Sequence, residues 1–196
     1  IHISVKLESL LIMINFLFPK LHKEGYRFLA IALVISFILL LISGLLGLLS
    51  SILTVWVYYF FRDPERFSIN DKNYLTSPAD GVISQIVEIH GPTELGLENK
   101  KFTRVSIFMN VFNCHVNRVP ASGTVKQIYY QSGNFFNASL DKASNENERN
   151  YVKIKNSNED ELVLVQIAGL IARRIVCDIK EENEIKQGER FGIIRF

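Results

Sequence analysis

The sequence predicts a predominantly β domain, an antiparallel barrel or sandwich with a barrel-sandwich-like core, carried on an apolar membrane helical hairpin. Three observations lead there. From Phe28 to Phe61 about 34 residues, "FLAIALVISFILLLISGLLGLLSSILTVWVYYFF", run without one charge. After "FFRDPERF" seven short runs rich in β-branched and aromatic residues follow in succession. Between those runs stand turn residues, and no long amphipathic helix interrupts them.

In chain order, residues 1–27 form an amphipathic segment. Leu10, Leu11, Ile14, Leu17, Phe18 and Leu21 recur at helical spacing, and Lys20, Lys23 and Arg27 close the stretch. That pattern suits a helix lying on a membrane surface, interrupted at Pro19. The sequence opens at Ile1 without a Met, so a trimmed or foreign start over residues 1–6 is expected.

Residues 28–61 are the membrane hairpin. As one straight helix they would reach about 50 Å, against a hydrocarbon core of about 30 Å. The central "SGLLG", with Gly44 and Gly47, is the expected break, giving two arms of about 16 residues each. Lys20, Lys23 and Arg27 precede the run, and Arg62 and Arg66 follow it. Basic flanks on both sides favour two cytoplasmic ends, which a hairpin allows and a single span does not. Trp56, Tyr58 and Tyr59 would sit at headgroup level.

Residues 62–196 hold the strands: "GVISQIVEI", "FTRVSIFM", "GTVKQIYYQ", "NYVKIKN", "ELVLVQIAG", "RIVCDI" and "RFGIIRF". The exception is "DKASNENERN", polar and irregular, which reads as an exposed loop. The formal net charge of +2 offers nothing to nucleic acid. Cys114 and Cys177 lie far apart, which gives no disulfide framework or metal site and suits a reducing compartment.

Few residues could carry chemistry. Asp80 stands between Pro78 and Gly81 in "SPADGVI", at a turn opening a strand; a solvated turn carboxylate would look the same. His115 and Arg118 lie three apart in "NVFNCHVNRVP", where a structural histidine is equally at home. No GxSxG elbow, phosphate-binding glycine loop, HExxH or Cys/His ligand set is present. The residues by themselves describe a membrane-hairpin β domain with an Asp/His pair.

Five stretches in order narrow this: "YYFFRDPER", "SPADGVI", "FMNVFNCHVNRVPASGTV", "GNFFNASLDKASNENERN" and "IKQGERFGIIRF". Over nearly the whole chain this order and spacing resembles the short bacterial and archaeal phosphatidylserine decarboxylases. The resemblance implies a proenzyme that cuts itself between a Gly and a Ser, within "RFGS". The products are a long β chain and a short α chain whose former Ser has become a pyruvoyl group. This sequence stops at Arg195-Phe196, so it would be the β chain, and the pyruvoyl cofactor would lie on its separate α chain.

Further implications follow from the same resemblance. The reaction is decarboxylation of phosphatidylserine to phosphatidylethanolamine, in which the pyruvoyl carbonyl is the electron sink. Asp80 would orient His115, which would activate the Ser for self-cleavage and later act as the acid in turnover. The longer branch of the family carries two histidines as HxxH here, and Arg118 occupies the place of the second. Arg is no general base at neutral pH, so either His115 does both jobs or processing uses another base. Arg118 would instead hold the lipid phosphate or the substrate carboxylate, with Asn113 as a second substrate contact.

The expected partners are the chain's own α chain, as an αβ pair that can assemble further into a homodimer, and the membrane phospholipid. The hairpin would hold the site at the cytoplasmic face, since drawing two acyl chains into water costs about 0.8 kcal/mol per CH2. Two other readings stand beside this one. The first is the same chemistry on another serine phospholipid, archaetidylserine. The second is a non-enzymatic membrane-anchored adaptor with a lipoyl- or biotinyl-type barrel-sandwich, suggested by "IKQGERFG". No exposed Lys at a hairpin tip stands out for such an adaptor, which has no use for "SPADG" with "CHVNRVP".

Overall fold

The computed structural model describes residues 13, 15, 17–69, 71–138 and 143–196. They form two compact units, Ile1–Arg66 and Phe67–Phe196. The amphipathic helix expected within 1–27 falls largely outside the described residues, Leu10, Leu11 and Ile14 among them.

The first unit is a helix pair, α1 (Tyr26–Ile42) and α2 (Gly44–Phe60), 17 residues each. The helices part at Ser43, whose extended backbone (φ −159°, ψ 132°) breaks the helix one residue before Gly44. Two polar groups of the helix pair, Ser36 and Thr54, face inward. Ser36 and Thr54 share a buried hydroxyl hydrogen bond of 2.7 Å, and Thr54 also donates to the Ala32 carbonyl at 3.3 Å. At Gly47 a Cβ would lie 2.7 Å from the Leu40 Cα, so only glycine lets the helices approach this closely. Phe37, Ile38, Leu41 and Ile42 point outward and are half or more exposed.

The two ends of the pair are stitched together. The His22 N–H donates to the Phe61 carbonyl (2.8 Å) and the Asp63 N–H to the Lys20 carbonyl (2.6 Å). The Tyr59 hydroxyl donates to the Leu17 carbonyl at 2.8 Å. Lys23–Ile42, which adds a 3-10 turn to α1, is long and apolar enough to cross a membrane, whereas α2 is apolar but shorter.

Among its described residues the second unit contains nine strands, each paired antiparallel with its neighbours. The ribbon β1–β2 joins Val82–His90 to Lys101–Phe108. A three-stranded sheet has β3 (Val116–Arg118) and β7 (Arg174–Cys177) flanking β9 (Arg190–Arg195). A four-stranded sheet runs β6 (Glu161–Ile167), β5 (Arg149–Asn156), β4 (Gly123–Gln131), β8 (Glu184–Ile185). All seven runs read from the sequence are strands; β3 and β8 are too short to announce themselves.

Strand alternation builds the core. On β5 and β6 the inward cross-strand pairs are Ile154 with Leu162, Val152 with Leu164, and then Asn150 with Gln166. The first two pairs pack with Val119, Val125 and Phe191 in the main apolar cluster. Burying each such side chain contributes about 1.5–3 kcal/mol. At the third pair the core turns polar.

The stretch "DKASNENERN" differs from the exposed loop expected of it. Its Asn147 is fully buried, and Glu148 and Asn150 nearly so. The Asn147 side chain accepts from the Phe136 N–H and donates to the Phe136 and Ala168 carbonyls, each at 2.8 Å. A polar side chain satisfied by backbone on three sides is a core bracket, and the stretch then enters β5 at Arg149.

Candidate active site

β9 is the axis of the site. It lies between β3 and β7, with Val116 opposite Ile193 and Asn117 opposite Gly192, and the Ile194 N–H donates to the His115 carbonyl at 3.3 Å. His115, just before β3, is 3% exposed and lies among the buried Cys114, Val116 and Asn117.

The orientation of His115 comes from the turn before it. The Asn113 N–H donates to the Asn110 carbonyl (2.9 Å) and the Asn113 side-chain oxygen accepts from the Asn110 N–H (2.9 Å). The Asn113 carbonyl then lies 3.0 Å from His115 Nδ1. A carbonyl only accepts, so in the neutral imidazole Nδ1 carries the proton and Nε2 is the acceptor.

The loop bearing Asp80 docks beside the same strand. The Arg118 N–H donates to the Pro78 carbonyl at 2.9 Å, which fixes the chain two residues before Asp80 against β3. One residue after Asp80, Gly81 abuts the Phe108 carbonyl so closely that a Cβ would stand 2.4 Å from it. That contact explains the glycine at this turn. The SPADG and CHVNRVP stretches, far apart in sequence, thus meet at β3.

Arg118 is anchored as well, its guanidinium donating to the Gly188 carbonyl at 3.0 Å. That bond ties β3 to the turn leading into β9. Asn113 is engaged through its oxygen and its backbone, as above, while its side-chain nitrogen bonds to no described residue.

Sequence reasoning missed a set of buried amides. The Asn150 side chain donates to Gln166 Oε1 (3.1 Å), and Gln166 Nε2 donates to Asn117 Oδ1 (2.9 Å). All three are buried. The chain of amides links β5 and β6 of one sheet to β3 of the other. Strand parity is the signal that could have found two of them, because Asn150 and Gln166 fall on the same alternation as Val152 and Leu164.

Comparison with known proteins fits this arrangement. Residues 53–196 match the family model for phosphatidylserine decarboxylase. The chain is 60% identical over 184 residues to a phosphatidylserine decarboxylase proenzyme of Pelagibacter ubique (strain HTCC1062), covering 94% of this chain and 86% of that protein. It is 52% identical over 182 residues to the proteins of the same name from Rickettsia typhi and Rickettsia prowazekii, covering 93% of this chain and 79% of each. The chain belongs to the phosphatidylserine decarboxylase family.

Proposed function

We propose that this chain is the β part of a self-cleaving phosphatidylserine decarboxylase, which converts phosphatidylserine to phosphatidylethanolamine at the cytoplasmic face of a membrane. The observation that carries the reading is the seating of β9 against His115, with the Asp80 loop held on the adjoining strand. The name proenzyme, borne by the relatives, supports a partner α chain cut from the same precursor.

The residues present fit a pyruvoyl group carried on that partner. Ile194 is bonded to the His115 carbonyl, so the end of β9 lies beside His115. Such a group would supply the electron sink for the pair that stays on carbon when CO2 leaves. The other tasks fall to this chain. His115 Nε2 takes the proton of the attacking serine hydroxyl during self-cleavage, and the Asp80 carboxylate stabilises the imidazolium that results. In turnover the same nitrogen returns a proton to the carbon that has lost CO2. The near-complete burial of His115 keeps water from that proton and suits a reaction that discards a carboxylate charge.

Arg118 and Asn113 are the proposed lipid contacts. A guanidinium fixed by Gly188 is pre-organised for the phosphate or the carboxylate, and the Asn113 amide nitrogen is a neutral donor beside it in sequence. The helix pair is the proposed anchor. Its outward face is apolar, its ends are stitched together, and its flanks are basic, which supports both ends lying on the cytoplasmic side.

The test uses the proenzyme purified in detergent. Intact-mass analysis should show two polypeptides, and mixed micelles of phosphatidylserine should yield phosphatidylethanolamine and CO2. A folded preparation that stays uncut and forms no phosphatidylethanolamine overturns the reading.

A further inference from the structure

The buried amides form a chain with a direction. Asn150 donates to Gln166, and Gln166 donates to Asn117, so the Asn117 oxygen is used and its amide nitrogen is the outward end. That nitrogen is a strong donor in a side chain only 5% exposed. Its partner among the described residues is a weak acceptor, the Met109 sulfur at 3.9 Å. A buried N–H facing only a thioether is poorly satisfied, although an apolar side chain could have filled the place at less cost.

The surroundings of the donor suggest what it is for. Met109 lies between Phe108, whose carbonyl abuts Gly81 next to Asp80, and Asn110, which builds the turn that orients His115. Asn117 itself stands two residues after His115 and opposite Gly192 on β9. The core strands are apolar at Ile154 with Leu162 and at Val152 with Leu164, and change to amides only at the level of Asn117. Three buried amides at this end, and not at the other, fix the sense of one N–H donor beside the candidate site.

Resting on the decarboxylase reading, we propose that Asn117 is a further catalytic residue, whose amide N–H donates to an oxygen on which negative charge gathers. Gln166 and Asn150 are its positioning residues. Two oxygens have that chemistry: the acyl oxygen at the self-cleavage junction and a carboxylate oxygen of the lipid serine. An N–H already held in place needs no reorganisation when the charge appears, which is the condition for a large effect.

The experiment measures self-cleavage of the proenzyme and turnover of the cut enzyme separately, for wild type, Asn117→Asp and Gln166→Met. Asn117→Asp keeps the shape but replaces the donor with an anionic oxygen, and Asn117→Leu, run beside it, removes the donor without adding charge and should slow the same step; Gln166→Met keeps the donor and frees it to rotate. We expect Asn117→Asp to slow one step or both by about 100-fold or more in the rate constant, with little change in KM. Gln166→Met should slow the same step by about tenfold, consistent with loss of orientation rather than of the donor.

Slowed self-cleavage assigns the acyl oxygen, and slowed turnover in enzyme already cut assigns the carboxylate. Wild-type rates in Asn117→Asp overturn the inference. If that variant does not fold, Gln166→Met decides alone, and wild-type rates there overturn it. Inactivity of the wild type in both assays would instead count against the decarboxylase reading, so the two failures are distinguishable.

Discussion

The two units of this chain bury opposite kinds of atoms. In the helix pair the hydroxyls of Ser36 and Thr54 are bonded to each other inside, while Phe37, Leu41 and Ile42 face out. In the β unit Val152, Ile154 and Phe191 are inside, and Lys153 and Lys155 point the other way. The same rule acts in both, since unlike surroundings are avoided; the inversion follows if the first unit faces lipid and the second water. The amide chain near His115 is one place where the β unit departs from that pattern.

If the comparison holds, chemistry and anchoring should separate cleanly. The largest effect is expected at His115. His115→Ala should slow self-cleavage by at least about 1,000-fold, seen as uncut chain by intact mass, while the protein still sediments with membranes. Asp80→Asn should act in the same direction. Normal cutting in His115→Ala would move the base elsewhere.

A second break is all-or-none. Single cysteines at Lys20 and at Lys72, in a background lacking Cys114 and Cys177, should label from the same side of sealed vesicles. Labelling from opposite sides rejects the hairpin and leaves one tilted span.

Next come paired substitutions of like residues in unlike surroundings. Ile154→Ala in the β unit should cost about 2–5 kcal/mol in denaturant unfolding. Ile38→Lys on the outer face of α1 should leave that unfolding unchanged and weaken membrane insertion by about 3 kcal/mol. Loss of β-unit stability in Ile38→Lys would mean that this face is covered by protein rather than lipid. Within the hairpin, replacing Ser36 by Ala and Thr54 by Val together should cost only about 0.6 kcal/mol of helix association in bilayers.

The smallest effect concerns pH. Hydrogen bonds from Lys100, and then Lys153, hold the Glu161 carboxyl below the usual carboxylate range. A carboxyl whose pKa is depressed on folding stabilises the fold at neutral pH, and that contribution fades as pH falls through the folded value. Glu161→Gln should therefore cost about 0.5 kcal/mol at neutral pH and nothing in strong acid, checked by denaturant midpoints across pH. An equal cost at both pH values would assign the loss to packing.

Much of the architecture was legible because local patterns encode it. A charge-free run too long for one span, broken near Gly44, specified two apolar helices, and alternating β-rich runs specified the seven longer strands. The "DKASNENERN" stretch was misread because composition alone makes Asn147 look like a surface residue. Asp80 and His115 rest on their turns and on resemblance, and neither signal shows that the Pro78 carbonyl docks on the Arg118 N–H.

What the sequence by itself determined, then, is the kind of the longer elements and the family, since both reside in residues close together along the chain. Tertiary structure alone decided that β9 runs between β3 and β7, that Arg118 holds both Pro78 and Gly188, and that Gln166 reaches Asn117 across 49 positions of sequence. The physical reason is that an amide or guanidinium carries no mark of its partner. In a sequence it looks fit for water, and only when two sheets close over it does one neighbouring oxygen or N–H become its necessary match.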